Sequence, residues 1–358
     1  MHRTRLALVA VAMALVIGPV TACAGSGGSE NAGANGALIK VNYEPGGESF
    51  IFLPTMIAVT QNYFRDAGVD LNYQPLLATA ALQVNAVVSG QSDIAATGTT
   101  GLLSARQQNQ PLVGIGYQSA PPDQFMVLTK RGQQKLASTG ITQSSPIGDR
   151  VRALKGLQIA GLGAGSSSNL LLAALLNENG LKLSDVTLRG VNGLSDIYNI
   201  GKADQVDAIW NSDPFATQAV NEGWGKILIS YPAGDVPSAQ GVPWTVYVAS
   251  TKFVNQNPEG LKRFLTAIWR AVGDLQTRGD DPAITAAVKA KYFPTISDAT
   301  YKDAWHRSLD IYKAVPIPTE QIYNKELALW NSVSDTKYTL PFDQVYNIKP
   351  VTNAKPTQ

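Results

Sequence analysis

Along most of the chain, apolar positions recur with a period of two for a short stretch and then with a period near 3.6 for a longer one. This predicts strands alternating with helices. Residues 38–43 (LIKVNY) alternate as a strand. Leu53, Met56, Ile57, Thr60, Phe64 and Ala67 then form a helical stripe that Gly68 stops. Extended character returns over 69–75. A helix is predicted over 80–88 with Gly90 behind it, then a strand over 93–97, a helix over 98–108, a strand over 112–117 and an extended segment over 125–129. Residues 130–155 break the rhythm: polar and rich in Gly, Ser and Gln, they read as a surface excursion. The rhythm restarts with a strand over 157–162 and a helix over 167–179 closed by Gly180. The run 170–176 is apolar all round, so burial on more than one side is expected there. Strands over 186–191, 207–211 and 226–231 alternate with helices over 195–203 and 214–222. After a last strand over 244–250, helices dominate. Asn257, Pro258 and Glu259 supply a cap, a first-turn proline and a first-turn acid, and the stripe behind them is Leu261, Phe264, Leu265, Ile268, Val272 and Leu275. Further helices are predicted over 281–292, 297–312 and 319–333, and residues 349–358 read as an unstructured tail. Two similar α/β units followed by helices are implied, with no close sequence repeat between them.

The first segment stands apart. Arg3 and Arg5 precede a mostly apolar, uncharged run over 6–17. That run is shorter than the roughly 20 residues a spanning helix needs, and residues 1–22 have the anatomy of a secretory signal. Val20, Thr21, Ala22 and Cys23 resemble a bacterial lipobox. The resemblance implies cleavage before Cys23, alkylation of its thiol with diacylglycerol, and attachment to the extracytoplasmic face of the membrane through that anchor alone. Residues 23–36, from Cys23 through AGSGGSENAGANG, have the composition of a flexible tether. Secretion with an incidental Cys23 is the alternative.

Composition narrows the chemistry. The 358 residues are 44% apolar, which excludes wholesale disorder. One cysteine and two histidines, His2 and His306, exclude a disulfide framework and a structural zinc cluster, so no metal or cofactor is expected. Lys and Arg number 29 against 27 Asp and Glu; loss of Arg3 and Arg5 leaves a formally neutral chain with no footprint for nucleic acid. His306, beside Trp305 on a helical segment, reads as structural or surface, and no Ser-His-Asp order can be built around it.

Several local patterns carry a family resemblance. Residues 53–69 (LPTMIAVTQNYFRDAGV) resemble the first helix of receptors in the nitrate, sulfonate and taurine import family. Residues 93–98 (DIAATG) are similar to its strand and turn after the second helix. Residues 154–160 (LKGLQIA) resemble its entry into the second lobe, and Asp207, Ala208, Ile209 and Trp210 followed by Asp213, Pro214 and Phe215 resemble its "DA…W(D/E)P(F/Y)" segment. The order and spacing of these patterns run from about residue 38 to 264. The resemblance implies a type II periplasmic-binding-protein fold: two three-layer α/β lobes joined by two hinge crossings, with extra C-terminal helices. Lobe one is expected over 37–125 and 244–348, lobe two over 126–243. It further implies a ligand in the interlobe cleft, and delivery to an ABC permease driven by a cytoplasmic ATPase. The family name also covers a pyrimidine-synthase branch that relies on a cysteine cluster and histidine, which this chain does not supply.

Ligands of open α/β sheets meet the carboxyl ends of strands. In lobe one those ends bring Tyr43, Glu44 and Phe52, then residues 77–79, then Thr97, Thr99 and Thr100. In lobe two they bring Gly165, Ser166, Ser167, Ser168 and Asn169, then residues 191–193, then Trp210 and Asp213; Trp244 sits near the hinge. The stretch 161–168 (GLGAGSSS) is the most informative: glycines permit close backbone approach, and a helix start offers free N–H groups and serine hydroxyls to an anionic head group. Gly-Lys-Ser/Thr is absent and Ser166 stands in the third glycine's place, so neither a Walker loop nor a dinucleotide site is expected. Each serine, and likewise the threonines over 97–100, has the alternative reading of a helix cap. Asp213 before Pro214 reads as a cap as well. Tyr43, Phe50, Phe52, Trp210, Phe215 and Trp244 are candidates to wall the cleft, each with core packing as its alternative. Glu44 and Glu48, if they face the cleft, would favour a ligand bearing an amine, amide or ring N–H.

The expected function is a non-enzymatic, monomeric, lipid-anchored receptor for an ABC importer. It would capture a small organic solute, sulfonate- or taurine-like, anionic or zwitterionic. A heteroaromatic ligand, a surface-anchored enzyme using the same cleft and a receptor for a sensor kinase are the alternatives.

Overall fold

The structure, a computed structural model, describes residues 38–47, 49–77, 79–313 and 317–350. The expected signal segment, Cys23, the tether, Glu48 and the tail from 351 lie outside the described residues.

Among the described residues ten strands form two sheets. In chain order they are β1 (Ile39–Glu44), β2 (Val69–Tyr73), β3 (Ile94–Gly98), β4 (Leu112–Ser119), β5 (Phe125–Leu128), β6 (Gln158–Leu162), β7 (Thr187–Val191), β8 (Ala208–Asn211), β9 (Lys226–Ser230) and β10 (Thr245–Ser250). The first sheet has the order β2-β1-β3-β10-β4, and the second β7-β6-β8-β5-β9. In each, the strand second from one edge, β10 or β5, runs antiparallel to both neighbours while the other pairings are parallel. Those two antiparallel strands are the ones that follow a crossing between sheets, over residues 120–124 and 231–244. The two lobes are thus topological repeats without a sequence repeat, because a buried strand demands apolar side chains and not particular ones.

Parallel neighbours require crossover helices. In the first lobe these are α1 (Leu53–Thr60), α2 (Tyr63–Asp66), α3 (Ala80–Val88) and α4 (Thr99–Gln107). In the second they are α5 (Lys130–Leu136), α6 (Ile147–Arg152), α7 (Ser167–Glu178), α8 (Leu194–Lys202) and α9 (Phe215–Asn221). After β10 come α10 (Thr251–Gln256), α11 (Pro258–Thr277), α12 (Pro282–Tyr292), α13 (Asp298–Ser308), α14 (Glu320–Val333) and α15 (Phe342–Val345). Asn257 caps α11 through Gly260 N at 3.1 Å, and all six positions of the expected stripe are buried. Phe264 of that stripe packs on Tyr43 with centroids 5.2 Å apart. The C-terminal helices touch both lobes. Trp305 and Tyr301 of α13 pack on Phe50, while Arg307 Nε lies 3.6 Å from Asp213 Oδ2 and Asn221 Nδ2 donates to Asp303 Oδ2 at 2.8 Å. α14 lies against α7, which is why the apolar run of α7 is buried on more than one side.

Residues 130–155 do lie largely at the surface, as expected, but they are ordered into α5 and α6 and docked on the second sheet at a few points. Thr129 caps α5 through Gly132 N at 3.3 Å, and Arg131 and Lys135 pair with Asp207 at 2.8 and 2.7 Å. Arg150 is buried, its Nη1 2.7 Å from Asp235 Oδ2 and 3.1 Å from Leu228 O. Charged side chains that dock on partners distant in sequence read as solvent-facing in any local window. Gly132 is required by this docking: a Cβ there would lie 1.9 Å from Asp207 O.

Candidate functional site

A cavity of about 380 Å³ lies between the two sheets. Its first-lobe wall comes from the loop after β1 (Gly46, Gly47, Ile51, Phe52), the loop and helix after β2 (Leu76, Leu77, Thr79, Gln83) and the end of β3 (Thr97, Gly98). Its second-lobe wall comes from Leu162 and the start of α7 (Ser166, Ser167, Ser168), from Asn192 to Ser195 before and in α8, and from Ser212 and Phe215. Gln124 and Trp244, on the two crossings, close it at the hinge.

The α7 start is held from several sides. Ser166 Oγ accepts from Asn169 N at 3.1 Å and donates to Gly163 O at 2.9 Å, so Ser166 is an N-cap. Gly165 makes the preceding turn with φ +83°. Trp210 Nε1 donates to Ser168 O at 2.8 Å. Ser168 Oγ donates to Gln124 Oε1 at 2.9 Å, and Gln124 Nε2 donates to Ser212 Oγ at 2.5 Å. Across the cavity, Ser167 Oγ meets Thr100 Oγ1 at 2.5 Å, joining α7 to α4. Gly98 allows that approach, since a Cβ there would stand 2.1 Å from Ser167 Oγ.

The first-lobe wall is equally fixed. Glu44 is fully buried, and its carboxylate accepts from Leu77 N and Gly46 N, both at 3.1 Å, tying together the two loops that form the wall. Burial raises its pKa to about 7, against the lowering effect of those two amides. Gln83 Nε2 donates to Gly46 O at 2.8 Å and Leu77 O at 3.0 Å. Thr97 is 1% exposed, and its Oγ1 has no hydrogen-bond partner. Behind the wall, Thr99 Oγ1 accepts from Trp330 Nε1 at 3.1 Å, and the Trp330 ring lies 6.2 Å from that of Trp244. Among the described lining residues none carries an ionisable side chain. The wall is made of neutral donors and acceptors, helix starts, and the apolar faces of Ile51, Phe52, Leu76, Leu162, Phe215 and Trp244.

A family model described as NMT1/THI5 like matches residues 49–280. The chain belongs to the NMT1/THI5-like family. No curated protein sequence matches this NMT1/THI5-like chain. Among solved structures, one from Bordetella bronchiseptica RB50 is 24% identical with a TM-score of 0.73, covering 88% of this chain and 96% of that one. The alkanesulfonate-binding protein SsuA from Xanthomonas axonopodis pv. citri, bound to MOPS, is 17% identical with a TM-score of 0.64 over 88% of this chain and 99% of that one. The ligand-binding component of an ABC-type import system from Staphylococcus aureus, with zinc bound, is 13% identical with a TM-score of 0.67 over 89% and 99%. These likenesses show the fold of this NMT1/THI5-like protein: the expected type II periplasmic-binding-protein architecture, with its C-terminal helices.

Of the expected site residues, Phe52, Thr97, Ser166, Ser167, Ser168 and Trp244 come together on the cavity wall, with Phe215 from the aromatic candidates. Tyr43, Glu44, Thr99, Thr100, Gly165, Asn169, Trp210 and Asp213 do not line it. Tyr43 points into the lobe-one core, its hydroxyl 3.0 Å from Thr55 Oγ1, and Phe50 is likewise core against Phe293 at 4.8 Å. Trp210 is buried against Tyr231 at 5.7 Å. Asp213 stands one residue before the α9 N-cap Pro214, and its Oδ1 accepts from Thr217 N at 2.8 Å, so it secures the helix start. Burial lifts its pKa to about 6 against the pull of Arg307. Glu44 turns to backbone amides and not to the cavity, so the argument from it for an amine-bearing ligand lapses. The strand-end rule picked the right segments, but the face of each strand that meets the cleft depends on how the lobes are set. Gln83 and Gln124 were missed. A lone amide in a helix or a crossing carries no local signal.

Proposed function

We propose that this chain is the solute-binding component of an ABC import system, capturing a small organic solute of the sulfonate or taurine type between its lobes and presenting it to a permease. The observation that carries the reading is the cavity itself. It is drawn from both lobes and both crossings, it fits a small molecule in volume, and its lining is built to hold a solute by neutral donors. The family and the fold support this reading, as does the binding of MOPS, a sulfonate, by the Xanthomonas protein. The zinc of the Staphylococcus protein is not carried over, because among the described residues no group of three or more His, Cys, Asp or Glu could hold a metal. Phe52, Phe215 and Trp244 on the wall favour, as a second reading, a heteroaromatic ligand. Anchoring at Cys23 and release of solute to permease and ATPase complete the proposal.

The test is ligand-dependent stabilisation of the purified chain across a panel of sulfonates, taurine-like compounds, pyrimidines and flavins. Binding at a hundred times Kd adds about 2.7 kcal/mol to stability. Mass spectrometry of natively purified protein would show any co-purified solute directly. A panel without a single thermal shift, together with no co-purified compound, refutes the receptor reading.

A further inference from the structure

We propose that the buried carboxyl pair Asp123 and Asp213, with Arg307 as its counter-charge, is a positioning centre behind the cavity, whose charge state sets the Gln124–Ser212–Ser168 network on the wall and so couples solute binding to pH. The inference rests on the receptor reading and adds a control to that same site.

β5 and β8 pair antiparallel as far as Phe125 and Asn211. One step beyond, Gln124 stands opposite Ser212, and their side chains bond at 2.5 Å on the cavity wall. A second step brings Asp123 opposite Asp213, and strand alternation turns this pair to the other face, the face of Phe125. There Arg307 of α13 lies over the Phe125 ring, its Cζ 5.8 Å from the centroid and its Nε 3.6 Å from Asp213 Oδ2. Two short backbone segments thus carry the wall residues on one side and the two carboxyls on the other. Both segments belong to the hinge. Asp123 lies on the first crossing, and Asp213 follows a second-lobe strand, where its carbonyl accepts from Phe50 N of the first lobe at 3.2 Å.

Both carboxyls are fully buried. Both oxygens of Asp123 and Oδ2 of Asp213 make no well-formed hydrogen bond among the described residues. One guanidinium compensates one negative charge, so the other carboxyl keeps its proton. Burial and the Asp213 charge push Asp123 well above the usual carboxylate range, and the Asp213 amide and Arg307 offset this only in part. At neutral pH Asp123 is therefore the protonated partner and Asp213 the charged one. Tyr312, in the turn after α13, has its phenol raised by burial, by Tyr247 of β10 and by Asp123, and stays neutral. Asp303 and His306, also on α13, are engaged by Asn221 and Asp280 at 2.8 Å each.

Ionising Asp123 sets two water-excluded carboxylates against one cation. Their repulsion drives the two segments apart. Gln124 and Ser212 adjoin the pair and separate with it, so the wall loses the bond that continues to Ser168 Oγ at 2.9 Å.

The experiment is calorimetric titration of the purified chain and of Asp123→Asn from pH 6.5 to 9.5, in buffers of different ionisation enthalpy. The probe is benzenesulfonate or, where that gives no heat, the panel compound with the largest thermal shift, its own ionisation subtracted. Wild-type affinity is expected to fall about tenfold across the range, the worth of one hydrogen bond, with net proton uptake on binding along the falling limb. Asp123→Asn keeps the size and the neutral state of the acid, and its profile should change by less than about threefold with no such uptake. Glu44 and Glu326, both raised by burial to about 7, titrate in both proteins, so the difference between the profiles belongs to Asp123. A flat wild-type profile, binding without proton uptake, or the same fall in Asp123→Asn would overturn the inference and leave the receptor reading standing. The first two outcomes need the wild type alone, so they decide the matter even where the variant does not fold. Failure of the whole panel at neutral pH removes both readings.

Discussion

Gly98→Ala tests whether the lobes must meet for the cavity to hold a solute. The backbone at Gly98 (φ −69°, ψ 146°) is one that alanine adopts without strain, so the substitution leaves the fold of each lobe alone. What it adds is a methyl group 2.1 Å from Ser167 Oγ and 3.1 Å from Ser167 Cβ. The first distance is over an ångström short of the 3.4 Å at which ordinary contact begins. Rotating the hydroxyl away breaks its bond to Thr100 Oγ1, a loss of about 1 kcal/mol, and still leaves the Cβ atoms too close. Relief requires the α7 start to retreat from the end of β3, opening the cavity. Overpacking of this kind costs about 1–3 kcal/mol. If the ligand-bound state keeps this approach and the ligand-free chain can relax it, that is roughly a ten- to hundredfold loss of affinity. Stability without ligand should hold or rise by about 0.4–1 kcal/mol, because alanine restricts the unfolded chain. Calorimetry with 1-butanesulfonate and benzenesulfonate reads the first effect, and thermal unfolding without ligand reads the second. Ser167→Gly added to Gly98→Ala vacates the space and should recover part of the affinity. Wild-type affinity in Gly98→Ala, or a double variant no better than the sum of its parts, would refute the argument that the contact at Gly98 governs binding.

Arg150→Ala should destabilise the chain by about 3 kcal/mol in urea unfolding, because it leaves Asp235 without its buried partner; a loss under about 1 kcal/mol would show that water replaces the guanidinium freely. Gly132→Ala should cost about 2–3 kcal/mol in the same assay, since the new methyl group would overlap Asp207 O. Burial raises the pKa of Glu326 to about 7 even though Tyr117 and Tyr346 donate to it at 2.9 and 3.0 Å. A carboxyl with a raised folded pKa keeps its proton in the folded state after the unfolded chain has lost it. Stability therefore falls as pH rises from about 4.5 to about 7 and then levels, by on the order of 3 kcal/mol for this group. Glu326→Gln should flatten that slope in melting curves taken across the range, and an unchanged slope would assign it to other groups such as Glu44.

The alternation of periods, the caps at Ser166 and Asn257 and the α11 stripe were all readable in the sequence, because each rests on interactions within a turn or two of chain. The same holds for Ser166 to Ser168 at the cavity: a strand, a glycine turn and a helix start deliver those residues to one end of a sheet whatever surrounds it. Glu44, Trp210 and Asp213 were equally conspicuous and belong to the scaffold. Chemical type along a strand end does not say which side faces the other lobe. Nor did composition over 130–155 show that Arg150 would be buried, since its partner Asp235 lies far along the chain.

The sequence by itself determined the elements, their order and the segments that carry the site, for these follow from short-range steric and solvation preferences repeated along the chain. The tertiary structure alone decided that the described residues lining the cavity would carry no charge, that the Thr97 hydroxyl would be buried without a partner, and that Gly98 and Ser167 would meet across the cavity. Those facts depend on sheet register and on the setting of two lobes against each other. That setting is a sum over contacts between segments distant in sequence, which no local pattern records.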